Sequence, residues 1–170
     1  MKIINKKITD LLIHCRSNNN VIPVKFNGPL LRNEEEAYAT QYSAHKECYS
    51  KDLINGPVIG RKIGCTTKVM QDYLKIPNPC AGRINKKNVY KNNASLNFKN
   101  YIQAGVECEI GIILKHDMSY NNYTYSDKEI LNSISSIFPA IEIVDNRYEN
   151  WENTDTNTLI ADDFFSAGCV

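Results

Sequence analysis

The chain has 170 residues, which fits one domain, and 42% of them are hydrophobic, which is enough to form a core. Its 20 Lys and Arg nearly balance its 19 Asp and Glu, so no overall basic charge favours a nucleic acid or an anionic membrane. The first residues lack the apolar stretch of a secretory signal, and no apolar run is long enough to span a membrane. We therefore expect a cytoplasmic protein without nucleic-acid or membrane partners.

The six cysteines are scattered along the chain and form no C-x-x-C pair. Zinc sites and disulfide frameworks usually show such regular spacing, so neither is expected. Reduced thiols, as in the cytosol, are the simpler interpretation.

The first part of the chain predicts two helices, a strand and a third, short helix. Apolar residues at helical spacing predict a helix over residues 3–16. Asn33, followed by three glutamates, predicts the start of a second helix that runs to about Leu53. Residues 58–64 predict a strand, and a threonine pair after it can cap a short helix that ends near Leu74.

The second part of the chain predicts mainly strands. Residues 83–100 are polar and rich in Asn, which indicates a loop with short strands, whereas residues 106–114 are strongly strand-like. A capping box that begins at Ser126 predicts a helix, which we expect Pro139 to close. Residues 140–144 predict a further strand.

Three glutamates lie within these apolar strand sequences. Glu107 and Glu109 are two residues apart in one strand and should share a face, and Glu142 has an isoleucine on each side. A buried carboxylate is costly unless its charge is compensated, and hard divalent cations prefer such oxygen ligands. The alternative is that this face is solvated and the glutamates are ordinary surface charges. The third glutamate in apolar surroundings favours the metal site.

Lys62 lies between Gly60 and Gly64 in a short apolar strand. Glycines at these positions would let a small ligand approach the backbone. The alternative is a surface lysine on an edge strand, where lysines are common, and the residues alone leave both interpretations open. Neither of the usual glycine-rich phosphate-binding patterns is present.

Several motifs follow one another along the chain: residues 60–66 (GRKIGCT), 69–71 (VMQ), 79–82 (PCAG), 106–110 (VECEI), 139–147 (PAIEIVDNR) and 160–163 (IADD), with Gly168. In this order they resemble the 2-keto-4-pentenoate hydratase family of the fumarylacetoacetate hydrolase superfamily. The similarity runs from about Glu34 to Val170. It implies an α+β fold, a mixed rolled β-sheet of the fumarylacetoacetate hydrolase type with flanking helices. We accordingly divide the chain into an N-terminal helical region, residues 1–56, and the N-terminal part of the catalytic β-roll domain, residues 57–170.

The resemblance also implies the residues of a site and its cofactor. It places a divalent metal, Mg²⁺ or Mn²⁺, on three carboxylates and an active-site lysine beside them, at Glu107, Glu109, Glu142 and Lys62. Cys80 stands where many hydratases have an aspartate associated with the active site, and we predict that it contacts the substrate. Arg147 either binds the substrate as well or forms a structural ion pair.

The implied reaction is the addition of water to a 2-hydroxy-2,4-dienoate. A 2-oxo acid can chelate Mg²⁺ or Mn²⁺ through its carboxylate and keto oxygens, and the cation would stabilise the enolate formed on proton loss. Lys62 would stabilise the developing charge or move the proton. The same enolate supports decarboxylation of a 2-oxo-3-enedioate. Hydration is favoured, because only Lys62 and Arg147 could balance the second carboxylate of a diacid.

Two further alternatives are a hydrolase and a non-catalytic subunit. Acylpyruvate-type hydrolases of the superfamily cleave C–C bonds with a His/Glu pair, for which His45 and Glu47 are the nearest candidates. Residues two apart on a helix do not face each other, so hydrolysis ranks lower. An assembly subunit without activity is also conceivable, but the three retained glutamates and Lys62 argue against it.

The chain departs from the family pattern in two places besides Cys80. Residues 162–166 (DDFFS) are bulkier than the usual small, polar version, which suggests a different substrate. The sequence also stops at Val170, where family members continue through further strands, so we expect a fragment or strands supplied from elsewhere. Exposed strand edges would then promote assembly, and we expect a homo-oligomer.

Overall fold

The computed structural model describes residues 5–24, 31–51, 56–119 and 123–170. Its helices are α1 Lys6–Asn18, α2 Glu34–Ser50, α3 Lys68–Leu74, α4 Asp127–Ser133 and α5 Thr156–Ala161, with three short 3₁₀ turns at Lys86–Asn88, Phe98–Asn100 and Trp151–Asn153. The strands are β1 Val58–Gly64, β2 Cys80–Asn85, β3 Ala104–Leu114, β4 Ile134–Asp145 and β5 Ser166–Cys169. None of the helices in these ranges is long and apolar enough to cross a membrane.

The hydrophobic core lies where α1 and α2 pack against α5. Ile8 and Leu12 of α1 are buried in the same cluster as Leu159 and Ile160 of α5. The cluster also includes Phe164, which follows α5 in the chain. The regions on either side of residue 56 therefore share one core, and this packing fixes the segment after α5 against the N-terminal helices.

The N-terminal elements agree with the predictions from sequence. The first two helices are present at Lys6–Asn18 and Glu34–Ser50; the predicted start at residue 3 and end at Leu53 lie outside the described residues. Thr67 caps α3, because its side chain accepts a hydrogen bond from the backbone N–H of Met70. The predicted strand at residues 58–64 is confirmed as β1.

Two antiparallel sheets carry the candidate site. β1 and β2 form a two-stranded ribbon in which Lys62 pairs with Gly82. The second sheet has the order β3-β4-β5, and Glu107 of β3 stands opposite Glu142 of β4. The prediction of a loop with short strands over residues 83–100 agrees with the structure, in which the short strand β2 continues to Asn85; the rest of the segment also contains two of the 3₁₀ turns.

The helix that begins after Ser126 is much shorter than predicted. The capping box is confirmed, with Ser126 and Glu129 bonded to each other's backbone N–H groups. However, α4 ends at Ser133, and β4 begins at the next residue and passes through Pro139. The expectation that Pro139 closes a helix is therefore wrong, and cross-strand pairing with β3 prevails over the local helical spacing.

The register of β4 explains why Pro139 is tolerated within a strand. The N–H of Ile141 points to the β5 side, where it donates to the carbonyl of Val170 at 3.1 Å. Alternate residues direct their N–H groups to the same side, so the nitrogen of Pro139 also faces that side. Within the described chain, the β5 side of β4 is paired from Val144 to Ile141, where Val170 bonds, and not at Pro139, so the proline removes no ladder hydrogen bond there.

Much of the β3–β4 hairpin exposes apolar side chains to solvent. They are Val106, Ile110, Ile112, Ile113 and Leu114 of β3 and Ile137, Phe138 and Ile141 of β4. A row of exposed apolar residues on a long hairpin with open edges is a typical surface for association.

Candidate active site

The three candidate glutamates meet on one face of the second sheet. Glu107 and Glu142 are direct cross-strand partners, and Glu109 lies two residues along β3 on the same face. One carboxylate oxygen from each residue lies within 4.8 Å of the other two. Three carboxylates at this separation are a donor set that suits a hard divalent cation such as Mg²⁺ or Mn²⁺.

Burial distinguishes one of the glutamates from the other two. Glu142 is only 8% exposed, whereas Glu107 and Glu109 lie on the open face of β3. The expectation of a buried carboxylate therefore holds for Glu142 and is wrong for Glu107 and Glu109. Burial raises the pKa of Glu142, and the charge of Lys62 opposes that rise. A cation here would also offset the repulsion between carboxylates paired across the strands.

Lys62 is part of this cluster rather than a surface lysine. Its Nζ donates to Glu142 Oε1 at 2.8 Å and to the backbone carbonyl of Phe164 at 2.7 Å, and its side chain is 13% exposed. β1 is an edge strand of its two-stranded sheet, but Lys62 is not a surface lysine on it. The ammonium group stands beside the carboxylates with its direction set by two acceptors from different elements.

The glycine that accommodates Lys62 lies in the partner strand. A Cβ added to Gly82 would stand 2.9 Å from Lys62 Cγ and 3.4 Å from Asp163 Cβ, so the lysine stem needs the space that glycine leaves. By contrast, a Cβ at Gly60 would meet only the Ile84 side chain at an ordinary 3.5 Å, and one at Gly64 would meet nothing within 4 Å. The sequence shows Gly82, but only the strand register shows that it faces Lys62.

Asp162 lies within two of the motifs above, but neither motif indicated its partners. It is fully buried and binds two arginines, with Arg16 Nε 2.7 Å from Oδ1 and Arg147 Nη2 2.8 Å from Oδ2. Tyr148 donates its hydroxyl to Oδ2 at 3.0 Å. Burial alone raises the pKa of Asp162, but the charges of Arg147 and Arg16 outweigh it and the net pKa is lowered.

Asp163 is the second buried carboxylate of this network. Arg83 donates its backbone N–H to Oδ1 at 3.0 Å, Arg16 Nη2 lies 3.1 Å from Oδ2, and His45 Nε2 contacts Oδ2 directly. Burial raises its pKa, but the hydrogen bond and charge of His45 and the charge of Arg16 prevail and lower it to about 2. No pattern in the sequence indicated this network, because its members lie far apart along the chain.

The chain after Asp162 forms a left-handed turn of three consecutive non-glycine residues. The φ angles of Asp163, Phe164 and Phe165 are 59°, 45° and 66°. L-residues seldom adopt this conformation, and surrounding contacts must hold it in place. The turn directs the carbonyl of Phe164 to Lys62 Nζ.

Arg147 does not join the carboxylate cluster. Its Nε and Nη2 both bind Asp162 Oδ2, and its Nη1 approaches the backbone carbonyls of Phe165 and Ser166. Of the two alternatives for this residue, the structure therefore favours the structural ion pair. A cavity of about 260 Å³ borders Arg147 on the side of β2 and β5.

Cys80 is a buried thiol at the end of the β1–β2 ribbon, where it pairs with Gly64. Burial, together with the neighbouring Cys65, raises the pKa of Cys80 to about 12, so the thiol is neutral at physiological pH. Cys65 in turn lies within electrostatic reach of Lys62 and Glu107. A role for Cys80 in substrate contact stays a prediction. All six cysteines are free thiols.

His45 and Glu47 are turned to different partners. His45 is buried against Asp163, while Glu47 pairs with Lys6 and Lys51 near the surface. The expectation that these two residues do not face each other is confirmed, and they form no pair that could activate water together.

Comparison with known proteins finds relatives of this chain. No family model matches the chain. The chain is 32% identical over 156 residues to the TodF product hydratase of Pseudomonas putida, and the aligned region covers 91% of this chain and 56% of that protein. It is 31% identical over 95 residues to a 2-keto-4-pentenoate hydratase of Burkholderia vietnamiensis, and the aligned region covers 56% of this chain and 36% of that protein. The chain thus spans about a third of one of these curated relatives and about half of the other.

A solved structure confirms the predicted fold class. The 4-oxalocrotonate decarboxylase from Pseudomonas putida G7, complexed with magnesium and adipate, superposes with a TM-score of 0.83 over 96% of this chain and 61% of that one. Its sequence identity is 18%, so the likeness concerns the fold. With the ordered motifs, the curated hydratases support the resemblance to the 2-keto-4-pentenoate hydratase family, at about 30% identity and over part of their length.

Proposed function

We propose that the protein is a metal-dependent lyase that adds water to a 2-hydroxy-2,4-dienoate. The observation that carries this proposal is the convergence of Glu107, Glu109 and Glu142 on one face, with Lys62 bonded to the most buried of them. Relatives named as hydratases of keto-pentenoate and hydroxy-dienoate acids support the substrate class.

The three carboxylates would hold one divalent cation. Two of them are exposed and free to adjust to a ligand, while Glu142 is fixed by Lys62 at the inner end of the cluster. Mg²⁺ or Mn²⁺ suits this all-oxygen donor set, and Mg²⁺ is bound in the decarboxylase of the same fold. When bound, such a cation supplies Lewis acidity and so stabilises negative charge on a 2-oxo acid.

Lys62 would supply the acid–base chemistry of the site. Its ammonium group has two fixed acceptors, Glu142 Oε1 and the Phe164 carbonyl, so a third N–H remains to be directed at a substrate oxygen or carbon. A positioned proton donor of this kind holds the proton where the enolate of the substrate can receive it. Because Lys62 is mostly buried, its charge acts with less screening by water than a surface lysine would.

Decarboxylation of a 2-oxo-3-enedioate is the second candidate, favoured by the fold of the decarboxylase. A diacid brings a second carboxylate to a site that already holds three. Among the described residues, Lys62 is the cation in contact with the cluster, and Arg147 is occupied by Asp162. A monocarboxylate therefore meets less repulsion, which favours hydration.

The proposal includes a cytoplasmic homo-oligomer. Its support is the exposed apolar surface of the β3–β4 hairpin, which would be covered by association. Sedimentation velocity over a range of concentrations should show a species larger than the monomer. A monomer at every concentration would remove this part of the proposal.

The test offers the protein 2-hydroxypenta-2,4-dienoate and 2-oxo-3-hexenedioate side by side, each with Mg²⁺. We expect water addition to the dienoate, and Lys62→Met should lower its kcat by roughly 10²-fold or more. The matched control is Lys68→Met, since Lys68 is an exposed lysine paired with Asp72, and its kcat should not change. Release of CO₂ from the diacid without hydration of the dienoate would reverse the ranking.

A further inference from the structure

We propose that Arg16 and Asp163 are positioning residues for Lys62, which they reach through the backbone carbonyl of Phe164. The inference rests on the proposed function for its kinetic consequences only. The link runs from α1, through a buried ion pair, to the turn after α5 and then to the ammonium group of Lys62.

The first step is the bond between Phe164 and Lys62. Of the two acceptors of Lys62 Nζ, the Phe164 carbonyl is the shorter contact, at 2.7 Å against 2.8 Å for Glu142. Glu142 also belongs to the carboxylate cluster, where a cation would compete for its oxygens. Among the residues that the structure describes, the Phe164 carbonyl has no such second role, so it is the constant anchor of the ammonium group.

The second step is the conformation that directs this carbonyl. Phe164 lies in the middle of three left-handed residues, with φ angles of 59°, 45° and 66° at positions 163, 164 and 165. A left-handed run without glycine is unfavourable on its own and relaxes when the contacts that enforce it are lost. Relaxation of the turn would move the Phe164 carbonyl away from Lys62.

The third step is the set of contacts that enforces the turn. Arg16 binds Asp162 and Asp163 together, with Nε 2.7 Å from Asp162 Oδ1 and Nη2 3.1 Å from Asp163 Oδ2. Its Nη2 also donates to the backbone carbonyl of Asp162 at 2.8 Å, so Arg16 hydrogen-bonds to the backbone as well as to the two side chains. His45 and the backbone N–H of Arg83 complete the ligation of Asp163.

The far side of the turn is held by aromatic packing. The ring of Phe165 makes edge contacts with Tyr148 and Trp151, with ring centroids 5.2 Å and 5.9 Å away. The turn is thus fixed at both ends, and at the polar end the Arg16 side chain is 14% exposed, against 2% for Asp163. Arg16 is therefore the position at which the link can be weakened with least damage to the core.

The positioning role differs from a purely structural role in its coupling to Lys62. If Arg16 acts through Lys62, removing Arg16 should lower kcat in the wild type and have no further effect once Lys62 is gone. If Arg16 only stabilises the fold, its removal should lower the melting temperature and leave kcat of the folded enzyme unchanged. A displacement of a catalytic group by about 1 Å can cost up to roughly 10²-fold in rate, so the effect is measurable.

The experiment compares Arg16→Met, Lys62→Met and the double variant, with Arg16→Lys as the conservative replacement. We expect Arg16→Met to lower kcat by about 10- to 100-fold with little change in KM, Arg16→Lys to restore part of it, and the double variant to match Lys62→Met. The matched control is Arg32→Met, because Arg32 also pairs with a buried carboxylate, Glu36, while its own side chain is exposed. Full kcat in Arg16→Met, or additive losses in the double variant, would overturn the inference.

A second readout needs no substrate and separates this inference from the proposed function. Acetylation of lysines by a small anhydride, followed by mass spectrometry, reports how freely Lys62 can be reached, with exposed Lys68 as the internal standard. Lys62 should label several-fold faster in Arg16→Met than in the wild type. If Arg16→Met does not fold, the milder Phe165→Leu, which loosens the other end of the turn, should show the same increase. Unchanged labelling of Lys62 in the folded variant would contradict the positioning role, even if the reaction proved to be another one.

Discussion

Gly82 lies directly against the stem of Lys62, and a Cβ at position 82 would stand 2.9 Å from Lys62 Cγ. Because Cγ lies near the base of the lysine side chain, a change of its outer torsion angles cannot relieve this contact. Gly82→Ala should therefore displace the ammonium group and lower kcat by about 10-fold or more. Gly60→Ala is the control, because its Cβ would meet Ile84 at an ordinary 3.5 Å. Equal activity of the two variants would show that this close approach does not matter.

Acid should weaken the fold through Asp163. Its pKa is lowered to about 2 from an ordinary value of 3.8, because bonding to His45 and the charge of Arg16 outweigh burial. A carboxylate whose pKa is lower in the folded state contributes stability that is complete above its unfolded pKa and is lost as the pH falls toward the folded pKa. The loss should therefore occur between about pH 4 and about pH 2 and be on the order of 2 kcal/mol.

Urea unfolding at a series of acidic pH values measures this loss. Asp163→Asn should show a shallower fall in the free energy of unfolding over the same range, since the titrating group is gone. If that variant does not fold, Arg16→Met should show a smaller fall than the wild type. An identical pH dependence in wild type and variant would mean that Asp163 is not the titrating group.

Arg147 should matter for stability and not for substrate binding. It binds the fully buried Asp162 through two nitrogens, and removing one partner of a buried pair costs about 3–5 kcal/mol. Arg147→Lys keeps the charge but loses the bidentate geometry, so it should unfold at lower urea with an unchanged KM. A raised KM with unchanged stability would restore Arg147 as a substrate ligand.

Cys80 should resist thiol reagents. It is 2% exposed and burial raises its pKa to about 12, so little thiolate is available near neutral pH. Iodoacetamide should therefore label Cys108, which is exposed on β3, much faster than Cys80. Labelling of both at the same rate would show that the end of the β1–β2 ribbon opens in solution.

The features of the fold and site that the sequence predicted correctly are local, because they are formed by residues close together along the chain. Glu107 and Glu109 share a face because of the two-residue period of a strand, and the Ser126–Glu129 capping box is a local pattern. The helix predicted after Ser126 was too long because the same apolar residues also suit a strand. Their pairing with β3 decides between the two, and this partner cannot be read from a local window.

The remaining parts of the site depend on contacts across the chain. Gly82 meets Lys62 only through the register of β1 with β2. Arg16 meets Asp162 over a separation of 146 residues, and neither residue lies in a pattern that indicates the other. Whether Glu107 and Glu109 are buried or exposed likewise depends on which elements pack on β3. The apolar character of the strand does not reveal this, and the structure shows that both are exposed.

The central claim is that Glu107, Glu109 and Glu142 hold a divalent cation. Titration calorimetry of Mg²⁺ and Mn²⁺ binding to the purified protein tests it most directly. The wild type should bind one divalent cation, and the Glu107→Gln, Glu109→Gln double variant should lose that binding, because two of the three converging carboxylates become neutral. The control is a Glu35→Gln, Glu152→Gln double variant, which changes the net charge equally at two exposed sites and should bind as the wild type does. Unchanged binding in the Glu107→Gln, Glu109→Gln protein would contradict the metal site on which the proposed reaction depends.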